Sequence, residues 1–324
     1  MDVLAVSLFQ PQDFVPLEAG KFRDRELTLD GGPRARVEMV GLETLWFNTG
    51  TLCNIACHGC YIESSPRNDT LIYLTAEEVV EYLKEIVRLA LPTRQIGFTG
   101  GEPFMNPEIV TMLRAALEGD RKVLVLTNAM KPMRRFEREL LALRASHGSA
   151  LTLRVSLDHF RADAHDAERG AGAWRTAIDG LQWLAVNGFS IALAGRQCAG
   201  ETDEVARAGY AALLAELNIV MDAHDPARLV LFPEMDARAD VVEISQACWK
   251  ILGVSPSSMM CATSRMVVKR KGAARPSVVA CTLTPYDLGF EMGALLSQSM
   301  GKVVLNHPHC ARFCVLGGAS CSSR

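Results

Sequence analysis

Three cysteines spaced Cys53-x-x-x-Cys57-x-x-Cys60, in the run Cys53-Asn-Ile-Ala-Cys57-His-Gly-Cys60-Tyr61, put three soft thiolate donors into one short loop. A fully ligated [4Fe–4S] cluster uses four cysteine thiolates, so a local set of three leaves one iron open to another ligand. An open iron makes such a cluster a chemical site rather than only an electron carrier. Two other readings stand beside this one. A structural zinc site ordinarily wants four ligands in two paired knuckles, and neither His58 nor the next cysteine, Cys198, completes such a pair. Chance spacing in a chain of 10 cysteines is the second.

About forty residues on, an apolar strand-like run from Gln95 to Thr99 ends in Gly100-Gly101-Glu102-Pro103. Two glycines let a backbone come close to a ligand, and Glu102 or neighbouring carbonyls can accept hydrogen bonds from an ammonium group. Alone, this stretch would be an ordinary strand-to-helix turn. Placed after the cysteine loop, it resembles the radical S-adenosylmethionine (SAM) superfamily. The resemblance implies that Cys53, Cys57 and Cys60 bind the cluster and that the methionine end of SAM chelates the open iron. Gly100, Gly101, Glu102 and Pro103 would then contact the methionine amine.

The elements that must position these groups follow from the rest of the chain. Its 324 residues, 49% of them hydrophobic, can bury a large core plus a smaller one. Net charge is only −3 and the sequence pI is near 6.2, which gives no general bias toward nucleic acid or anionic lipid. Met1-Asp-Val-Leu-Ala lacks a basic leader, and no run of apolar residues is long enough to span a bilayer. A cytoplasmic protein off the membrane is expected, and in a reducing compartment its cysteines argue for metal ligation rather than disulfides.

From Thr44 to about 235, short apolar runs alternate with longer helical patterns, the signature of repeated βα units on a parallel sheet. Strands are predicted near Thr44–Asn48, Arg94–Thr99, Lys122–Thr127, Leu151–Leu157, Phe189–Ala194 and Arg228–Phe232. Helices are predicted from a Thr75-x-x-Glu78 capping box and near Pro107–Leu117, Phe136–Ala145, Trp174–Val186 and Glu204–Leu217. Periodicity alone permits a flat doubly wound sheet; the resemblance implies an α/β partial (β/α)6 barrel. Either places ligands at the carboxyl ends of the strands. The expected divisions are an N-terminal extension over 1–43 without assigned chemistry, the barrel over 44–235 and a cysteine-rich α+β module over 236–324.

Polar residues stand at the predicted strand ends: Thr127-Asn128, then Ser156-Leu157-Asp158-His159. The resemblance implies that Ser156, Asp158 and Asn128 bind the ribose hydroxyls and methionine carboxylate of SAM, although Ser and Asp also favour helix N-caps for local reasons. It implies that Arg196 meets the SAM carboxylate, for which its fork is suited, and that Phe232 or Pro233 flanks the adenine. Superfamily members often carry an aromatic residue just before the third cysteine; here that position is Gly59 and the aromatic is Tyr61. The segment His165-Asp166-Ala-Glu168-Arg169-Gly170 is read as loop salt bridges, and His58 as facing solvent or supporting the ligands.

Past Glu234 the pattern changes. Cys261, a hairpin from Arg265 to Gly272 returning through Ser277 to Cys281, a helix near Phe290–Met300 and the close pair Cys310 and Cys314 resemble the SPASM/twitch-like auxiliary module of some radical SAM enzymes. That resemblance implies a second [4Fe–4S] cluster on Cys261, Cys281, Cys310 and Cys314, with Cys321 in reserve. A zinc site on the same residues, with His307 or His309, stays open. Cys198 and Cys248 are read as packed thiols.

The function implied is reductive cleavage of SAM and hydrogen abstraction from a peptide or small molecule. A cytoplasmic one-electron reductant of flavodoxin or ferredoxin type would be its partner, with no nucleic acid or membrane involved. An electron carrier or redox sensor without SAM, and a structural zinc protein, are the alternatives.

Overall fold

The computed structural model describes residues 14–233 and 235–318. The chain runs through β1 (Arg36–Val37), β2 (Thr44–Asn48), α1 (Ala76–Arg88), β3 (Gln95–Thr99), α2 (Ile109–Glu118), β4 (Lys122–Thr127), a short α3 (Lys131–Arg134) and α4 (Glu137–His147). It continues through β5 (Leu151–Ser156), α5 (Ala162–Arg169), α6 (Ala173–Val186), β6 (Ser190–Arg196), α7 (Asp203–Glu216), β7 (Leu229–Phe232) and α8 (Gln246–Leu252). The hairpin β8 (Ser264–Val268) and β9 (Ser277–Val279), the strand β10 (Val303–Val304) and a π-helical segment, Cys310–Leu316, follow.

Eight of these strands form one sheet in the order β7-β6-β5-β4-β3-β2-β8-β9, and β1 and β10 form a separate two-stranded sheet. The run from β2 to β7 is parallel throughout, as crossover helices between successive strands require. Side chains alternate between two cores. Leu45, Phe47, Ile96, Phe98, Val123 and Val125 pack against the helices, while Trp46, Leu124 and Met266 pack on the opposite face. Trp46 stands in register with Gly97; a Cβ at residue 97 would lie 2.3 Å from the indole, so glycine is what admits the ring. The predicted capping box is present at α1, where Thr75 Oγ1 accepts from Glu78 N (3.2 Å) and Glu78 accepts from Thr75 N (3.0 Å).

Three features go beyond the sequence reading. Strand β8 pairs with β2 in parallel, so the C-terminal hairpin continues the barrel sheet. Residues 14–43 are joined to the C-terminal region: β1 pairs with β10, Arg34 is buried against Glu243 at 2.6 Å, and Phe22, Ala35 and Val37 share a core with Cys261, Phe290 and Cys310. The expected helix near Phe290–Met300 is absent. Only 3-10 turns form, at Leu288–Phe290 and Leu296–Ser299, because residues 290–293 run alongside β9, with Met292 N donating to Val278 O (2.8 Å) and Val278 N to Gly293 O (2.7 Å). No helix among the described residues is long and apolar enough to cross a membrane.

Candidate functional site

The cysteine loop leaves the carboxyl end of β2 and is tied down over its whole length. Gly101 N donates to Gly50 O (2.8 Å) and Glu102 N to Leu52 O (3.1 Å), so the loop entrance runs against the end of β3. Cβ atoms at Gly100 and Gly101 would lie 2.5 Å from Gly50 O and 2.2 Å from Leu52 O, and Gly100 adopts φ +137°. The glycines therefore first admit the chain's own backbone, and in doing so present theirs to the cavity beyond. Farther along, His58 N donates to Glu168 O (2.7 Å) and Gly59 N to Glu168 Oε2 (3.2 Å). Glu168 is itself paired with Arg196 at 2.9 Å. A Cβ at residue 59 would lie 2.8 Å from Arg196 Nη1, which accounts for glycine where an aromatic residue is common.

One cavity opens at this end of the barrel. Cys53, Cys57 and Cys60 line it together with Gly100, Gly101, Asn128, Ser156, Asp158, Arg169, Arg196 and Tyr61. Its remaining wall is largely apolar, with Trp46, Leu126, Phe232 and Met235 beside Thr282. Several expected residues have different immediate partners. Glu102 and Pro103 are not among the lining residues: the buried Glu102 carboxylate accepts from Phe104 N (3.1 Å), Asn128 N (2.8 Å) and Thr127 Oγ1 (2.9 Å), fixing the turn rather than meeting the cavity. Asn128 Nδ2 donates to Asn54 Oδ1 (2.9 Å), which braces the cysteine loop.

Asp158 is held by both arms of Arg169, at 2.8 and 2.9 Å. Burial works against its charged form, but this guanidinium keeps its carboxyl below the usual range. Arg196 is engaged by Glu168 as described. Arg169 and Glu168, read from sequence only as loop ion pairs, are thus the charged groups that bind cavity and loop together. The signal for them was an Arg and a Glu side by side ahead of Gly170, which does not by itself say where they point.

Cys198 is not a thiol packed among apolar groups. Its Sγ, a ring nitrogen of His159 and a carboxylate oxygen of Glu201 lie within 4.8 Å of one another. His159 Nδ1 accepts from Arg161 N (3.1 Å), so the ring proton sits on Nε2 and faces Glu201 Oε2 at 3.2 Å. That tautomer makes a hydrogen bond rather than a metal ligand.

The donor set of the main cavity suits an iron–sulfur cluster. Burial, reinforced by the neighbouring thiols, pushes Cys53 up to about 12; burial likewise pushes Cys57 up to about 11. Such thiols need the positive charge of bound metal to become thiolates. Cys60 Sγ already accepts a backbone hydrogen bond from Ser64 N (3.4 Å), an interaction that stabilises cluster thiolates. Among the described residues, His159, Cys198 and Glu201 form the one group of three ligand atoms within 4.8 Å, so the three loop thiols are spread wider than a single zinc ion would draw them.

A second, smaller cavity lies in the C-terminal region and is lined by Cys261, Cys281, Cys310 and Cys314, with Thr284 and His309. Burial pushes Cys261 up to about 11 and Cys310 up to about 12. Leu283 N donates to Cys281 Sγ (3.4 Å). The two cavities are adjacent along the chain, since Cys281 lines one and Thr282 the other. Tyr286 Oη donates to Ile62 O (2.6 Å), tying this region to the cysteine loop. Cys321 lies outside the described residues.

Fold and site together define a partial-barrel protein with a three-cysteine loop at the mouth of its barrel. Residues 47–196 match the Radical SAM superfamily model. This stretch is a radical SAM domain, and the family implies a [4Fe–4S] cluster and SAM as cofactors. It is 30% identical over 138 residues to the mycofactocin maturase MftC of Mycobacterium ulcerans, covering 43% of this chain and 35% of MftC. It is 30% identical over 140 residues to the GTP 3′,8-cyclase of Pseudomonas fluorescens, covering 43% of this chain and 40% of the cyclase. The matched stretch thus spans well under half the length of these relatives. Streptococcus suis SuiB bound to SAM shares the fold, with a TM-score of 0.56 at 14% identity, covering 79% of this chain and 64% of SuiB; SuiB is also solved with its precursor peptide SuiA.

Proposed function

We propose that this chain is a radical SAM enzyme that modifies a peptide, with Cys53, Cys57 and Cys60 holding the SAM-binding cluster and Cys261, Cys281, Cys310 and Cys314 holding a second. A cluster held on the first three would supply the one electron needed to break the S–C5′ bond of SAM, with methionine as the leaving group and a 5′-deoxyadenosyl radical able to take hydrogen from the substrate. The observation that carries this reading is the convergence of three thiols, the Gly100-Gly101 backbone and the Arg169 guanidinium on one cavity.

The chain's own residues have separable tasks in this account. Glu168 and Arg196 hold the loop in place through Gly59. Arg169 offers its fork to the SAM carboxylate, exchanging it for or sharing it with Asp158, in place of the Arg196 expected from sequence. Ser156 provides a hydroxyl toward the nucleoside, while the Asn128 amide, bonded to Asn54 and Met130 N, steadies the cysteine loop beside it. The apolar wall of Trp46, Leu126, Phe232 and Met235 excludes water and receives an uncharged reacting group.

The substrate reading draws on the relatives, which include a maturase and a nucleotide cyclase. The peptide is favoured because the arginines lining the cavity are both paired with carboxylates at the cysteine side, and among the described residues the lining carries no lysine to receive a triphosphate. Anaerobic reconstitution with iron, sulfide, SAM and dithionite should yield 5′-deoxyadenosine well above a Cys57→Ala control. Equal yields from both proteins, with the parent's cluster intact and reduced, would contradict the assignment.

A further inference from the structure

Two polar atoms in the second cavity lack any hydrogen-bond partner among the described residues: Thr284 Oγ1 and His309 Nδ1. Both side chains are well over nine-tenths buried, Thr284 at 3% exposure and His309 at 4%. Both line the cavity into which Cys261, Cys281, Cys310 and Cys314 converge. An unpaired buried hydroxyl or imidazole nitrogen costs on the order of 1–3 kcal/mol, and two in one small cavity mark a place built for a hydrogen-bonding guest. The four thiols already fill the role of ligands. Inorganic sulfide and cysteine sulfur accept hydrogen bonds and donate none, which is what a hydroxyl and a ring N–H require.

We infer that Thr284 and His309 are hydrogen-bond donors to the sulfurs of an iron–sulfur cluster held by Cys261, Cys281, Cys310 and Cys314, and that they raise its reduction potential. The inference rests on the proposal that this region holds a cluster. Its sign follows from electrostatics: reduction adds negative charge to the sulfurs, and donors aimed at them stabilise the reduced form more than the oxidised one. The turn is arranged for this, because Leu283 N, one residue before Thr284, already donates to Cys281 Sγ. His309 directly precedes Cys310 at the start of the π-helical segment, so its ring is carried by the element that presents two of the ligands.

The test uses the full-length chain with Cys53→Ala, Cys57→Ala and Cys60→Ala, so that the second site alone is read and no turnover is needed. Iron and sulfide are measured in this parent and in parents carrying Thr284→Val, Thr284→Ser or His309→Leu, followed by an electron paramagnetic resonance (EPR)-monitored reductive titration. The expected result is equal iron content throughout. At a fixed potential the ratio of reduced to oxidised cluster should fall roughly threefold to tenfold in Thr284→Val and in His309→Leu, the worth of one hydrogen bond, and return in Thr284→Ser. Unchanged potentials with full iron would overturn the donor assignment and leave the cluster proposal standing. Loss of iron in His309→Leu would make His309 a ligand, which also overturns it. A parent that holds zinc or no metal would sink the cluster proposal itself, and this inference with it.

Discussion

At the residue scale, Arg169 concentrates the site's electrostatics. Its guanidinium stands between Asp158 and the cysteine loop; burial works against its charge, but the Asp158 carboxylate outweighs that cost and raises its already high pKa. A lysine there keeps the charge and loses the planar fork. Arg169→Lys is therefore expected to weaken SAM binding roughly tenfold to a hundredfold while iron content stays at the parental level; unchanged affinity in equilibrium dialysis would remove Arg169 from the carboxylate site. His165, on α5, gives a pH signature. Burial pushes its imidazole down to about 4, and its Nδ1 accepts from Asp158 N (3.1 Å). Because the folded pKa lies below the unfolded value, its contribution to stability is full above about pH 6.5 and is lost as the pH falls toward 4, by up to about 1.4 kcal/mol per pH unit. Urea unfolding of the metal-free chain should show that slope, and His165→Gln should flatten it.

At the element scale, the parallel strands of the barrel were legible because each is a short apolar run closed by a polar or glycine residue, and each helix carries its own periodicity. Thr75 and Glu78 marked the first helix by local chemistry alone. What local patterns could not carry was pairing across distance. Nothing in Ser264–Val268 states that it lies parallel to β2, more than two hundred residues away. The helical pattern near residue 290 lost to hydrogen bonds with β9, a tertiary override of local propensity. The Trp46–Gly97 pair shows how tightly two strands can specify each other. Gly97→Ala should cost about 1–3 kcal/mol by overpacking against a fully buried indole, read as a lowered denaturant midpoint. A midpoint equal to the parent's would mean that the ring can move aside.

At the scale of the whole molecule, the first and last of the described segments meet. The segment over 14–43, to which the sequence reading gave no chemistry, supplies Phe22, Ala35 and Val37 to the core around the second set of cysteines. The three-cysteine loop and the glycine turn were readable because their ligands are close in sequence. The partners that hold the loop, Glu168 and Arg196, come from other βα units, and residue types alone could not bring them together. Thr282 lines the first cavity and Cys281 the second, so the cluster proposed in the second would stand next to the cavity proposed to take the substrate. All of this depends on the loop thiols leaving one iron open to SAM. The most direct measurement is the EPR spectrum of the dithionite-reduced, reconstituted chain with and without SAM, beside the variant that lacks Cys53, Cys57 and Cys60. The account predicts a cluster signal that shifts when SAM is added and that the variant lacks. A spectrum in which no component responds to SAM, or a variant spectrum identical to the parent's, would contradict it; a SAM-independent component from the second cluster is expected in both.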